Sequence, residues 1–206
     1  MYQMNKGAAR QFINAAFERS REIGFIISQS PGELAVAAEE IRATDAHVVL
    51  EIGCQHLGWM YAIRPFCMHN VKYIAVDPAF SNGSPIYRKL LEDSGVEVKQ
   101  INGTSMANYT NVNEAVGHNN WVDICHIDGD HSTEAVLLDF EMYHPIVRHG
   151  GLVLIHDVCG SQGPGAALQT ILQKHAAKFA YTMVYCDSWW HEDPCARMGI
   201  AMLRMK

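Results

Sequence analysis

Buried strand-like runs alternate with segments of helical length through most of this chain, and that alternation constrains its fold more than any other feature. The first run, HVVLEIG at 47–53, is short, β-branched and largely apolar, which is typical of a strand buried on both faces. Further strands are predicted at 71–77, 96–101, 121–128 and 152–157. Strands separated by helices of ten or more residues predict right-handed βαβ units and a parallel sheet.

The C-terminal part departs from this alternation. FAYTMVYCD at 179–187 and MGIAMLRM at 198–205 are both strand-like, and the segment between them is too short for a helical crossover. The two runs are therefore predicted to pair antiparallel, unlike the sixth strand of a dinucleotide-binding fold, which stays parallel. The sequence predicts an α/β protein with a Rossmann-like, doubly wound sheet of seven strands. The sheet is mostly parallel, ends in a C-terminal antiparallel hairpin and carries helices on both faces.

The chain is expected to form a single domain over residues 1–206, with N-terminal helices in 1–45 and the core in 46–206. Helices are predicted at 8–22, 31–43, 58–69, 85–95, 111–117, 132–148 and 164–177. The helix at 31 has the clearest start signal. Ser30, Pro31 and Glu33 form a capping-box pattern with proline at the first helical position.

Composition and charge exclude several classes of protein. The net charge of −6 with no basic stripe argues against a nucleic-acid partner. Because no apolar stretch approaches the roughly 18 residues of a membrane span, and the N-terminal charges are too closely spaced for a signal peptide, a cytoplasmic protein is expected. The six cysteines form no CxxC pair and several lie in apolar runs, so neither disulfides nor a structural zinc site are expected.

A glycine turn follows the first strand, and an acid ends the second. Gly53 can adopt a positive φ and let a ligand approach the backbone, while the next helix presents free N–H groups nearby. Asp77 lies 26 residues after Glu51, where a carboxylate suits the two hydroxyls of a ribose. A tight turn with a capping aspartate is the alternative, but together the two features predict a nucleoside ligand.

Two further acids end the fourth and fifth strands. Asp128 and Asp157 are expected to converge at the carboxyl edge of the sheet, because neighbouring strands lie about 5 Å apart. Two close carboxylates repel, so one takes a proton or both bind a cation such as Mg²⁺. The alternative is that both acids simply cap the segments that follow them.

These residues resemble the class I S-adenosylmethionine-dependent methyltransferases over residues 46–206, and the closing hairpin matches that family's extra strand pair. DGDHSTEAVLLDF…GGLVLIHD resembles one branch closely: the metal-assisted O-methyltransferases of macrolide and aminocoumarin sugars, with relatives of cephalosporin hydroxylase. There is one departure. The family's first motif usually reads acid-x-Gly-x-x-x-Gly, whereas Leu57 stands at the second glycine position and Gly58 comes one residue later. That shift concerns the path of the loop around the methionine part of the cofactor.

The resemblance implies S-adenosylmethionine as cofactor and a set of residues that bind it. Glu51 and Gly53 would lie near the methionine moiety, Asp77 would bind the ribose, and Ser105 would lie at the adenine edge unless NGTS is a plain turn. The full implied set is Glu51, Gly53, Gly58, Asp77, Ser105 and Asp128.

The resemblance also implies a divalent metal, with Mg²⁺ or Mn²⁺ expected, on Asp128, His156 and Asp157. The family has two consecutive acids where this chain has His156 and Asp157. Imidazole suits Mn²⁺, Fe²⁺, Ni²⁺ or Zn²⁺ better than Mg²⁺, so the metal differs, the site is weakened, or His156 turns away.

His131 is the candidate catalytic base, because an alcohol is a poor nucleophile until its proton leaves. It lies three residues after Asp128, at the mouth of the expected site. Hydrogen bonding at the N-terminus of the following helix is the alternative role. Asp130 is expected to cap the helix that starts at Ser132 or Thr133.

Two loops are expected to border the site. Trp189, Trp190 and His191 lie in the polar SWWHEDP loop, where they would wall an acceptor pocket or form a dimer contact. The glycine-rich loop after Asp157 is expected to cover the site. The N-terminal helices would do the same or pack on a partner subunit, which leaves a homo-oligomer open.

The sequence therefore predicts an enzyme that methylates a hydroxyl of a small-molecule acceptor, with metal assistance and without a nucleic-acid or membrane partner. An NAD-dependent oxidoreductase is one alternative, although the chain lacks G-x-G-x-x-G. The other is a non-catalytic S-adenosylmethionine-binding protein of the same fold, for which Leu57 and His156 are the best arguments.

Overall fold

The computed structural model describes residues 6–25, 27–118, 120–159, 162–187 and 198–206. Its strands are β1 (Val48–Ile52), β2 (Lys72–Asp77), β3 (Glu97–Asn102), β4 (Val122–Ile127), β5 (Val147–His156), β6 (Phe179–Asp187) and β7 (Met198–Met205). Its helices are α1 (Lys6–Glu22), α2 (Pro31–Ala43), α3 (Gly58–Ile63), α4 (Ser84–Asp93), α5 (Tyr109–Val116), α6 (Thr133–Tyr143) and α7 (Gln162–His175). Among the described residues, no helix is both long enough and apolar enough to cross a membrane.

The seven strands form one sheet in the order β3-β2-β1-β4-β5-β7-β6. The pairs among β1 to β5 are parallel, whereas β7 lies antiparallel between β5 and β6. This arrangement confirms the predicted fold class, including the C-terminal hairpin. Because β4 lies between β1 and β5, the loops that follow these three strands meet at one edge of the sheet.

The sheet is covered on both faces. One core cluster packs β-strand side chains against α1 to α4, and a second packs the opposite side chains against α5 to α7. Successive residues of β1 illustrate the alternation, since Val49 belongs to the first cluster and Leu50 to the second. Strands buried on both faces explain the near-continuous apolar runs of the sequence.

Two predicted helices end earlier than expected, and proline explains both ends. The helix predicted over 58–69 stops at Ile63 and continues as a 3₁₀ turn over Arg64–Phe66, which contains Pro65. The helix predicted over 132–148 stops at Tyr143, two residues before Pro145, and β5 already begins at Val147. Proline lacks the N–H that would continue the helical hydrogen bonds.

The expectation that the cysteines form no disulfide is wrong for one pair. Cys159 and Cys186 are joined by a disulfide, with their Cα atoms 5.8 Å apart, while Cys54, Cys67 and Cys125 are free thiols. The pair lies just after β5 and near the end of β6, two segments that the intervening β7 brings to the same edge. Gly199 of β7 makes room for this bridge, because a Cβ there would overlap the sulfur of Cys159.

Candidate active site

A cavity of about 720 Å³ opens at the carboxyl edge of the sheet, within the usual size range of small-molecule and cofactor pockets. The loops after β1, β2, β3, β4 and β5 all contribute to its wall. Every site residue predicted from the sequence lines it: Glu51, Gly53, Gly58, Asp77, Ser105, Asp128, His131, His156 and Asp157. The topology therefore brings the whole predicted set together.

The space beside Gly53 is occupied by the chain itself. Gly53 has a φ of 80°, and a Cβ built on it would overlap the backbone carbonyl of Asp128. The sequence predicted that the missing side chain of Gly53 would let a ligand approach the backbone. In the structure, the missing side chain lets the loop after β1 pack against the loop after β4.

Leu57 adopts the backbone conformation that the glycine of the family motif would favour. It precedes α3 with a φ of 71°, and its side chain is fully buried. The left-handed conformation costs a non-glycine residue about 1–2 kcal/mol, which burial of a leucine side chain is able to offset. The departure from the motif therefore leaves a glycine-like turn in place.

Asp77 organises the loop beside β2. Its Oδ2 accepts from the backbone N–H of Gln55 at 2.8 Å, and its Oδ1 accepts from the N–H of Ala79 at 2.7 Å. The capping role is thus present. Each carboxylate oxygen has a second lone pair, so both atoms are still able to accept from a ribose hydroxyl.

Glu51 belongs to a buried network that the sequence did not reveal. It accepts from the hydroxyl of Tyr73, and its Oε1 lies 3.1 Å from Nδ1 of His126, whose ring stacks on Trp59 at 4.1 Å. Burial raises the pKa of Glu51 well above its usual value and lowers the pKa of His126 to about 3. The imidazole of His126 is therefore neutral. The network fixes the positions of Glu51 and Trp59, which line the cavity.

Asp128 and His156 form a second network with residues of the N-terminal segment. Gln29 Nε2 donates to Asp128 Oδ2 at 2.6 Å, and Nδ1 of His156 lies 3.1 Å from Asp128 Oδ1. The other ring nitrogen of His156 lies 3.1 Å from Oε2 of Glu33. Burial alone would lower the pKa of His156, but the carboxylates of Asp128 and Glu33 outweigh it and raise that pKa well above its usual value.

His156 is thus a buried imidazolium with a carboxylate at each ring nitrogen. It supplies the positive charge that Asp128 and Asp157 were expected to obtain from a metal, since Asp157 Oδ1 lies 3.5 Å from Nδ1. Both ring nitrogens of His156 therefore contact carboxylates, and its role as a metal ligand stays a prediction.

His131 lies between the two acids at the open side of the cavity. Its Nε2 is 3.6 Å from Asp128 Oδ1, its Nδ1 is 3.4 Å from Asp157 Oδ2, and its side chain is 49% exposed. The nearby carboxylate of Asp128 raises the pKa of His131 against a smaller opposing effect of burial. The side chain therefore faces the acids of both strands, as a base or a ligand would.

The backbone around His131 is held firmly. Ser132 is the N-cap of α6 and accepts from the N–H of Ala135, while Asp130 accepts from the N–H of Ser132 at 2.7 Å. The N-cap of α6 is therefore Ser132, not Asp130 as was expected, and Asp130 instead stabilises the turn before the helix. On the other side the start of α7 packs closely, because a Cβ on Gly163 would overlap the carbonyl oxygen of His131.

Three side chains have a spacing suited to a metal ion. Asp128, His131 and Asp157 each offer a ligand atom, and these atoms lie within 4.8 Å of one another. Asp157 also has a φ of 57°, a strained value that recurs at functional sites.

Ser105 contacts an acid that sequence reasoning missed. Its hydroxyl donates to Oδ1 of Asp139, and the hydroxyl of Tyr143 donates to its carbonyl at 2.7 Å. Asp139 lies on α6, lines the cavity and is 4% exposed. Burial raises the pKa of Asp139 to about 6, despite the hydrogen bond from Ser105. The only feature of the sequence that could have indicated Asp139 is that it is an acid on the buried, otherwise apolar face of α6.

Asp139→Asn is expected to stabilise the protein at pH 7–8 by about 2–3 kcal/mol, since one pKa unit corresponds to 1.36 kcal/mol. The pKa of Asp139 is higher in the folded than in the unfolded protein. The free energy of unfolding therefore falls as the pH rises from about 4 to 6, and it stays lower at higher pH. Asparagine resembles the protonated acid, so the gain should vanish near pH 4. Urea unfolding from pH 4 to 8 measures it, and a pH-independent difference would contradict the assignment.

The SWWHEDP loop, with Trp189, Trp190 and His191, lies outside the described residues. Its predicted role at an acceptor pocket or a dimer contact stays a prediction. The loop after Asp157 is described only up to Cys159 and again from position 162.

Comparison with known proteins places the chain among methyltransferases. A family model described as a methyltransferase domain matches residues 50–158. The O-methyltransferase TomG of Streptomyces achromogenes, solved with SAM, is similar over 95% of this chain and 90% of its own, with a TM-score of 0.69 and 14% identity. An O-methyltransferase of Bacillus cereus, solved with SAH, is similar over 99% and 93%, with a TM-score of 0.68 and 13% identity. None of the curated proteins compared matches the sequence.

Proposed function

Since the chain belongs to the methyltransferase-domain family, which its residues 50–158 match, we propose that it transfers the methyl group of S-adenosylmethionine to a hydroxyl of a small molecule. The observation that carries the proposal is the position of His131 between Asp128 and Asp157, at the open side of the cavity. The two O-methyltransferases of the same fold, one with SAM and one with SAH, support the choice of cofactor and of oxygen as acceptor.

The cofactor would lie across the carboxyl ends of β1 and β2. Asp77 would accept from the ribose hydroxyls, while Ser105 and Asp139 would border the adenine, and Glu51 would lie beneath the methionine part. Supporting this placement, all four side chains line one cavity. When bound, S-adenosylmethionine supplies an electrophilic methyl group on a sulfonium centre.

His131 would act as the base for the acceptor hydroxyl. As the oxygen–methyl bond forms and the carbon–sulfur bond breaks, the hydroxyl proton would pass to the imidazole and S-adenosylhomocysteine would leave. Asp128 and Asp157 would orient the ring and stabilise the imidazolium that results. The side chain is half exposed, so an acceptor entering from solvent can reach it.

A divalent metal is the second arrangement that the donor set fits. Asp128, His131 and Asp157 would hold it, since their ligand atoms lie within 4.8 Å of one another, and a set with one nitrogen favours Mn²⁺ over Mg²⁺. The ion would lower the pKa of the acceptor hydroxyl. His131, not His156, would then be the nitrogen ligand, because both nitrogens of His156 are engaged by carboxylates.

Calorimetry with S-adenosylhomocysteine tests the cofactor assignment. We expect the wild type to bind, and Asp77→Ala to weaken binding by about 1.5–3 kcal/mol through lost hydrogen bonds to a charged group. Asp93→Ala is the matched control, because Asp93 is an exposed aspartate of α4 paired with Lys89, and it should leave affinity unchanged.

Two further measurements separate the alternatives. Binding of NADH in place of S-adenosylhomocysteine would support the oxidoreductase, against which the family match already stands. Transfer of a labelled methyl group to a panel of hydroxyl compounds separates an enzyme from a protein that only binds the cofactor. If the wild type fails to bind S-adenosylhomocysteine, the proposal is wrong.

A further inference from the structure

A cluster of metal-ligating side chains lies at the far end of α6 from the candidate active site. Glu141 and His144 come from the end of α6 and the turn after it, and His175 ends α7. Each offers a ligand atom, and these atoms lie within 4.8 Å of one another. The 11 residues of α6 span about 16 Å, and His131 precedes the opposite end of this helix.

The tautomer of His144 is fixed by its neighbours. Its Nδ1 lies 2.8 Å from the carbonyl oxygen of Phe140, which only accepts, so Nδ1 carries the proton. Histidine ligands of metals usually donate their other N–H in this way. Nε2 of His144 therefore carries the lone pair that a metal would need.

A cation already lies at that lone pair. The ammonium of Lys178 is 2.6 Å from Nε2 of His144, and an ammonium can only donate. Nε2 of His175 lies 2.8 Å from Oε1 of Glu141, which completes a set of two imidazoles and one carboxylate.

Both imidazole rings are held in place by one aromatic side chain. Phe140 stacks on His144 with a centroid distance of 4.4 Å, and its ring lies 5.4 Å from that of His175. Positions fixed by packing reduce the entropy lost when a metal binds.

We propose that Glu141, His144 and His175 bind a transition-metal ion, with Zn²⁺ as the best match, in place of the ammonium of Lys178. Two nitrogens and one carboxylate oxygen are a set that Zn²⁺ accepts, with a fourth position left for water. Mg²⁺ and Ca²⁺ prefer sets made of oxygen alone, so neither should compete. The ion would join the ends of α6 and α7, and this site is independent of the proposed function.

Titration of metal-free protein with ZnCl₂ by calorimetry tests the site, with CoCl₂ and visible absorption as a second readout. The titration is run on the wild type and on Asp128→Asn, which impairs the metal set beside the cavity. We expect one equivalent of Zn²⁺ to bind at the α6–α7 end in both, and in Asp128→Asn this equivalent should remain even if the wild type also binds an ion beside the cavity. Glu141→Gln and His175→Ala should each weaken that binding at least about tenfold, because even the loss of a group that only orients a metal ligand usually costs about 10–100-fold.

Lys178→Met gives the sharpest test, because removing the competing ammonium should tighten Zn²⁺ binding. His149→Ala is the matched control for His175→Ala, since His149 is exposed and lies outside the cluster, and it should leave affinity unchanged. His144 is left intact because its burial makes unfolding a risk. Absence of stoichiometric Zn²⁺ binding, binding that survives both ligand substitutions, or weaker binding in Lys178→Met would overturn the proposal.

Discussion

His131→Ala is expected to lower kcat by about 10²–10⁴, the usual contribution of a positioned base, while leaving the affinity for S-adenosylhomocysteine unchanged. The ring lies beside Asp128 and Asp157 at the mouth of the cavity, so its loss removes the proton acceptor without disturbing the residues proposed for the cofactor. Initial rates of labelled methyl transfer, with any hydroxyl acceptor that gives turnover, measure the effect. His118→Ala is the control, because His118 is exposed and lies outside the cavity lining.

A chelator separates the two roles of His131. If His131 is the base, activity should survive metal removal and fall only in the variant. If His131 is a ligand, chelator should abolish wild-type activity and added Mn²⁺ should restore it. Added metal should then also raise the Tm of the wild type but not of Asp128→Asn, since a ligand bound only by the folded state stabilises it. A His131→Ala variant with full activity would show that the side chain only borders the cavity.

Glu33→Ala is expected to reduce the free energy of unfolding by about 3–5 kcal/mol, the usual cost of removing one partner from a buried ion pair. Glu33 is fully buried, and its Oε2 lies 3.1 Å from the imidazolium of His156. Without that carboxylate, a buried positive charge would lose one of its partners. Urea unfolding at neutral pH measures the change.

Ser30→Ala separates the ion pair from the helix cap, because Glu33 also completes a capping box with Ser30. Loss of the cap alone should cost about 1 kcal/mol. Glu33→Gln, which can keep the hydrogen bond to the backbone of Ser30 but not the charge, should fall between the two. If Glu33→Ala costs no more than Ser30→Ala, the imidazolium assignment of His156 is wrong.

The fold could be predicted largely because its signals are local. The bounds of β6 and β7 and of the helix after Ser30 match the prediction, since apolar runs and a capping box are readable within a few residues. The predicted helices extended past Pro65 and Pro145, because the apolar periodicity of the sequence continues beyond each proline. The disulfide was missed because Cys159 and Cys186 are 27 residues apart and meet only once β7 enters the sheet.

The sequence could predict which residues line the candidate site but not which partners set the charge of these residues. Strand ends converge by topology, so the acids of β4 and β5 could be placed together from sequence alone. The partners that set their charge come from the N-terminal segment, with Glu33 123 residues and Gln29 99 residues away in sequence from the groups they contact. The sequence therefore did not reveal that the imidazole ring of His156 lies among three carboxylates, those of Glu33, Asp128 and Asp157.

Two glycines pack closely against the segment from Asp128 to His131. Gly53, in the loop after β1, and Gly163, at the start of α7, both lie so near its backbone that even a methyl group would not fit between them. A side chain at position 53 would push against the backbone of Asp128, and one at position 163 would push against that of His131. The path of the chain over 128–131 therefore depends on the absence of a side chain at both 53 and 163.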